Sequence, residues 1–419
     1  MKFLRNLGPG FIVTAAFIGP GTVTTASRAG AGFGFALMWA VVFSILATII
    51  LQEMAARLGV VGRMGLGEGV RNTFRSPMAK WLAAGFITLA IGFGNAAYQS
   101  GNLMGAGLGL EALTGINMSV CILLLGACAF GLLYIGQYKV IEWTLIGLVI
   151  VMSLVFLITA ICVAGHPGDL AKGFVPKVPA NDVELITIIG LIGTTVVPYN
   201  LFLHADTVRK KWAERPVGEA LTESRWDSGL SIGLGGLVTA AIIVTAAMAF
   251  YYPEVAFPAQ LKKPEDVKKV ADQLAPLLGP LMARITFATG LFAAGLTSTI
   301  TAPLAAAYAL SGVFGWKPDL KSWKFRAVWM VILALGIIAA ITMQGSPGQT
   351  IFLAQVANGL LLPIIAVFLL IVVNRKDLMG EHRNGWVSNA LGILVVLIAT
   401  GIGVWGILKA FGVDKMIHF

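Results

Sequence analysis

Hydrophobic positions run in long blocks along this chain. Eleven segments are apolar almost without interruption: about 9–29, 34–57, 81–110, 117–135, 140–164, 184–206, 229–251, 280–312, 325–344, 350–373 and 387–410. Each reaches the ~20 residues a helix needs to cross a bilayer. In hydrocarbon every backbone N–H and C=O needs an internal partner, so the segments are predicted to be helices. A membrane barrel would show segments of roughly ten residues with alternating polarity, and the sequence has none. The longest polar stretch, about 252–279, is predicted to carry a short surface helix over Glu265–Leu278.

Two of the apolar segments are interrupted. The first contains Gly19-Pro20-Gly21-Thr22, and the sixth contains Thr194-Thr195-Val196-Val197-Pro198-Tyr199-Asn200. Proline removes a backbone donor and clashes with the turn before it, so each run is predicted to break there. Pro20 and Pro198 are 178 residues apart and occupy equivalent places in two halves of five spans each. Matched interruptions of this kind point to an inverted-repeat transporter with its substrate site near the bilayer midplane.

Composition agrees with the pattern. The 419 residues are 57% hydrophobic and 12% charged, with a mean hydropathy of +0.85. Soluble domains carry about 25% charge, so a soluble enzyme and a disordered chain are both excluded. The net charge of +10 is not a nucleic-acid signal, because the basic residues sit in short connections. The N-terminus, the even-numbered connections and their flanks hold 20 of the 30 Lys and Arg residues. The positive-inside rule then places the N-terminus in the cytoplasm and the C-terminus outside. Cys121, Cys128 and Cys162 lie in apolar spans and read as small buried hydrophobes. No cleavage pattern precedes the first span, which argues against a removable signal peptide. No nucleophile triad, zinc spacing or phosphate loop is visible, so the chain is not read as an enzyme and needs no cofactor.

The sequence resembles the NRAMP family of proton-coupled divalent-metal transporters. The resemblance rests on Gly8-Pro9-Gly10-Phe11, Gly19-Pro20-Gly21-Thr22 and Arg28-Ala29-Gly30-Ala31. It continues through Leu51-Gln52, Arg57-Leu58-Gly59, the run Val197–His204, the run Ala294–Thr301, and Gly315-Trp316. It implies an all-α, eleven-helix protein with a leucine-transporter-type inverted five-plus-five repeat and broken helices 1 and 6. One transporter domain would then comprise repeat one at about 8–165, repeat two at about 184–373 and an extra helix at about 387–410. The implied location is a bacterial inner membrane, and the implied partners are lipid and a small substrate.

The departures from the family pattern are specific. The family's first-break Asp and Asn, both metal ligands, are Gly19 and Thr22 here. The methionine and histidine flanking the second proline are Val197 and Tyr199, and the family's carbonyl donor falls at Thr194. The third-span acidic pair linked to proton movement appears as Gln99 and Asn102. Soft thioether and imidazole ligands select transition metals, whereas hard oxygen ligands suit magnesium or calcium. A bare dication in a neutral cavity would lack compensating charge.

The expected substrate-binding set is therefore Gly19, Gly21, Thr22, Thr25, Thr194, Thr195, Val197, Tyr199 and Asn200, with Gln99, Asn102 and Asn358 nearby. No metal-ligand set is assigned. Coupling candidates are His204, which titrates near neutral pH, and Glu53, which also has an i, i+4 partner in Arg57. Asp206 is expected to form a surface pair with Arg209. Two substrate readings stand: a divalent cation, with hydrated Mg2+ the best match and proton coupling lost, or a small polar, zwitterionic or anionic solute. A third reading is a membrane receptor that kept the fold without transport. Gly101, Gly105 and Gly109 recur every four residues and predict a close helix-packing face.

Overall fold

The computed structural model describes residues 8–136, 139–163, 167–251 and 269–410. Among them the regular structure is helical throughout. We number α1 Pro9–Phe17, α2 Pro20–Phe33, α3 Met38–Val61, α4 Leu66–Thr73, α5 Pro77–Thr114, α6 Met118–Ile135, α7 Lys139–Val163 and α8 Pro167–Lys172. There follow α9 Asp182–Thr195, α10 Pro198–Lys211, α11 Val217–Phe250, α12 Ala275–Phe314, α13 Trp323–Thr342, α14 Pro347–Val373, α15 Lys376–Met379 and α16 Trp386–Ala410. Ten helical segments are long and apolar enough to span a bilayer, with α9 and α10 counted as one, and the bent pair α1 and α2 supplies an eleventh. The predicted count and placement of spans hold.

Helix limits follow local chemistry. Proline opens α1, α2, α5, α10 and α14, where its missing N–H is not needed. Gly115 and Gly136 close α5 and α6 at φ of 73° and 69°, a left-handed conformation that a side chain would strain. Part of the predicted Glu265–Leu278 helix lies outside the described residues. Its end, from Lys269, is helical and continues into the first turn of α12, which kinks at Gly279, whose φ is 70°.

The core is centred on the broken spans. α2 packs on α11, α9 packs on α14, and α5 lies along both α12 and α14. The α5 glycines make those contacts close. A Cβ on Gly105 would lie 2.1 Å from the Pro20 ring, and one on Gly109 would lie 2.5 Å from the Ala288 carbonyl. The stripe is a packing face, as its spacing predicts. Outward faces stay apolar, with Phe93, Leu123 and Leu397 exposed as lipid contact requires. Two cysteines depart from expectation: Cys121 is buried, but Cys128 and Cys162 sit on exposed helix faces.

Candidate functional site between the two breaks

The two interruptions have the same backbone form. α1 ends at Phe17, Ile18 adopts φ −76° and ψ 73°, and Gly19 is extended before Pro20 starts α2. α9 ends at Thr195, Val196 adopts φ −94° and ψ 69°, and Val197 is extended before Pro198 starts α10. In each case two residues leave the helix and proline restarts it. At the first break the Gly19 N–H donates to the Phe17 carbonyl at 2.8 Å, which makes an inverse γ-turn around Ile18. The first span bends there by 56°.

The breaks meet through hydroxyls. Thr22 Oγ1 and Thr194 Oγ1 lie 2.8 Å apart, and both residues are fully buried. The Thr22 hydroxyl also reaches the Phe17 carbonyl, so it closes its own break as well as joining the other. Tyr199, just past Pro198, sets its ring edge against Tyr98 of α5, with centroids 5.4 Å apart. Asn200 is fully buried, and neither polar atom of its side chain has a partner. Thr25 is equally buried with an unpartnered hydroxyl.

Three residues join this cluster that sequence reasoning missed. Tyr98 Oη donates to the Ala16 carbonyl at 3.4 Å, and Ser298 of α12 reaches the same oxygen at 3.5 Å. Gln355 of α14 lies directly over Gly21: a Cβ there would meet its amide nitrogen at 2.2 Å. Gln355 Nε2 donates to the Ile351 carbonyl at 3.3 Å, while Oε1 is buried without a partner. Gln355, one of two amides in the otherwise apolar run Phe352–Val373, was the available signal. Gly19 faces Ser298 Oγ, which a Cβ would approach to 3.2 Å.

Other candidates turn their polar groups elsewhere or are buried with a polar atom unpartnered. Gln99 turns toward α12 and α13; its Nε2 donates to the Thr299 carbonyl at 3.1 Å, and its stem fills the space over Gly336. Thr195 returns its hydroxyl to the Leu191 carbonyl of its own helix at 3.0 Å. Asn102 is buried with its Nδ2 unpartnered, as is Asn358. Glu53 belongs to a cluster at the protein's edge, 3.2 Å from Arg57 and 3.0 Å from Arg225. His204 is fully buried. Its Nδ1 lies 2.9 Å from Gln52 Oε1 and its Nε2 lies 3.3 Å from Ser228 Oγ.

Beyond His204, α10 ends in a charged group. Asp206 pairs with Arg209 at 2.7 Å, and Arg209 reaches Glu68 of α4 at 3.1 Å. The expected pair exists, but it is not a surface pair, because Asp206 is only 6% exposed. These residues, with Arg71, Tyr308 and Trp316, line a cavity of about 290 Å³.

Between the breaks the polar inventory is hydroxyl, amide and carbonyl. Val197 stands buried where a thioether ligand would be, and no carboxylate or imidazole adjoins either proline. Among the described residues no three of His, Cys, Asp and Glu converge as a metal site. Such a set offers hard oxygen ligands without charge. It can accept bonds from the waters of a hydrated ion through Thr and Gln oxygens, and can donate through the same hydroxyls and amides.

Residues 10–409 match the family model described as natural resistance-associated macrophage protein-like. A divalent metal cation transporter MntH of Brucella suis is 30% identical over 417 residues, covering 95% of this chain and 87% of that protein. One of Nostoc sp., with the same name, is 29% identical and covers 98% and 92%. The crystal structure of the Eremococcus coleocola manganese transporter superposes with a TM-score of 0.76 at 24% identity, covering 96% of this chain and 86% of that one. Mhp1, a nucleobase-cation-symport-1 family transporter, shares the fold more distantly, with a TM-score of 0.53 at 14% identity and coverage of 97% and 93%. With a match that spans nearly its whole length, this integral membrane protein belongs to the natural resistance-associated macrophage protein (Nramp) family.

Proposed function

We propose that this protein is a secondary transporter that carries a divalent cation across the membrane by alternating access. Its repeats, about 8–165 and 184–373, would move against each other, with the helix at 387–410 appended. The cation is held at the paired breaks by Thr22, Thr194, Thr25, Asn200 and the glycine-lined backbone at Gly19 and Gly21, with Tyr199 and Val197 shaping the cavity. Family membership and the MntH relatives support the cation. The chemistry of the breaks supports a hydrated one.

The observation that carries this reading is the Thr22–Thr194 hydroxyl pair at 2.8 Å, in positions where the family pattern has an amide and a carbonyl donor. Neutral oxygens cannot replace the inner water shell of a transition metal, but they can hold that shell in place. Magnesium dehydrates reluctantly and keeps several waters when bound, so it suits this set best. Proton coupling is absent in this reading. His204 faces the neutral partners Gln52 and Ser228, and Glu53 is occupied by two arginines. The N-terminus is cytoplasmic.

The test is uptake into proteoliposomes that hold the purified protein and an internal pH reporter, with Mg2+ and Mn2+ offered side by side. Saturable Mg2+ uptake without acidification is expected. Saturable Mn2+ uptake with proton entry would refute both the hydrated-cation and the uncoupled assignments. Inactivity toward both metals, with or without citrate or phosphate and from protein shown to be folded, would move the substrate to small organic and anionic solutes.

A further inference from the structure

Arg28 lies on α2, beyond the first break, and differs from Arg57, Arg209 and Arg225. Arg57, Arg209 and Arg225 each pair with a carboxylate within 3.2 Å. Arg28 is half-buried, and its guanidinium stacks on the Phe352 ring of α14 at 4.1 Å from the centroid. Among the described residues its side chain forms no ion pair and no hydrogen bond. A guanidinium withdrawn from water without a counter-charge is unfavourable, and aromatic stacking offsets only part of that cost.

Its surroundings lead back to the breaks. Gly21, Thr25 and Arg28 share one face of α2, at i, i+4 and i+7. Phe352 and Gln355 form the matching face of α14. Gln355 covers Gly21, while the Phe352 ring and the Thr25 methyl both press on Gly190 of α9. Two polar atoms along this seam, Thr25 Oγ1 and Gln355 Oε1, are buried and unpartnered. From Gly21 to Arg28 the seam is about 10 Å long, seven residues at the helical rise. It therefore runs from a neutral cation-holding cluster to a guanidinium that has no counter-charge among the described residues.

We propose that Arg28 is an oxyanion subsite at the head of this seam. The divalent cation is carried together with a small oxyanion, a carboxylate or a phosphate, which Arg28 binds. The inference rests on the cation reading above and extends it to the chemistry of the cargo. The break residues supply no negative charge to a dication, and a coordinated oxyanion brings that charge with it. A planar guanidinium matches carboxylate and phosphate oxygens with paired N–H donors. The unpartnered Thr25 and Gln355 oxygens would accept from the waters that remain on the cation.

The experiment measures Mg2+ uptake into proteoliposomes with and without citrate or phosphate. Alongside it, equilibrium binding of radiolabelled citrate and of radiolabelled phosphate to the purified protein is measured, each with and without Mg2+. The expected result is Mg2+-dependent binding of one anion and Mg2+ uptake that requires it; which anion binds separates carboxylate from phosphate. Arg28→Gln should weaken that binding about tenfold or more, with Arg28→Lys in between. Thermal melts of both variants against the parent separate lost binding from lost folding. Mg2+ uptake that is indifferent to both anions and unchanged in Arg28→Gln would overturn the subsite and leave the cation reading standing. Greater anion-free Mg2+ uptake in Arg28→Gln would also overturn it, because Arg28 would then be a barrier to cations. Anion binding that needs no Mg2+, together with no Mg2+ uptake in any condition, would overturn the pairing and the cation reading together.

Discussion

A few side chains decide what the breaks can hold. If the replaced positions set selectivity, restoring them together as Gly19→Asp, Thr22→Asn and Val197→Met should confer Mn2+ binding at least about tenfold tighter than in the parent, by calorimetry. A side chain at Gly19 needs the rotatable Ser298 hydroxyl, 3.2 Å from a new Cβ, to turn aside. Tight Mn2+ binding by the parent would contradict the premise. Thr22→Val tests the hydroxyl pair. It strands the Thr194 hydroxyl in a fully buried site, at a cost of about 1–3 kcal/mol, and should lower both the melting temperature and Mg2+ uptake. Thr22→Ser should preserve both. Thr22, Thr194, Tyr199 and Asn200 were legible in the sequence because they flank the breaks. Tyr98, Ser298 and Gln355 were not, because their partners lie on other helices and no spacing along one helix encodes which face turns inward. For the same reason Gln99 was placed at the breaks although it faces α12 and α13.

At the scale of helices, close approach is built from glycine. A Cβ on Gly193 of α9 would lie 1.9 Å from the Gln355 carbonyl and 2.5 Å from the Gly359 nitrogen of α14. Gly193→Ala should force α9 from α14 and destabilise the protein by about 1–3 kcal/mol, read as a lower midpoint in thermal unfolding. Gly85→Ala on α5, with nothing within 4 Å, is the matched control and should be close to neutral. Length and hydropathy located most spans to within a few residues, since bilayer thickness fixes both, but α11 starts at Val217, twelve residues before the predicted 229, because its first turns are polar. The matched breaks were visible because proline is a local signal. The similar backbone angles at Ile18 and Val196 were not, because proline restricts the residue just before it, Gly19 or Val197, and leaves the one before that free.

Across the whole molecule, α1 is a short lever. The Gly10 N–H at its start donates to Asp227 Oδ2 of α11 at 2.7 Å, and at its other end the chain turns through 56° into α2. Gly8 also abuts the Asp227 carboxylate, whose atoms leave no space for a Cβ. A carboxylate from a distant helix therefore caps the first half-helix and favours its seated position. Asp227→Ala should free this end, and hydrogen exchange at the amides of Gly10 to Val13 should quicken while those of α5 stay unchanged. Nothing in the sequence near Gly10 announces a partner 217 residues away.

The neutrality of the breaks also has an electrical consequence. With Gly19 and Val197 where a carboxylate and a thioether would stand, the empty carrier would move no side-chain charge between the breaks under the proposed alternating access. Membrane voltage then acts only on the loaded half of the cycle. Each net charge of cargo is driven by about 2.3 kcal/mol per 100 mV. A dication travelling alone would produce a steady current of two charges per turnover, whereas a dication travelling with a doubly charged oxyanion would produce none. The current recorded from a supported membrane thus counts the net charge of the cargo.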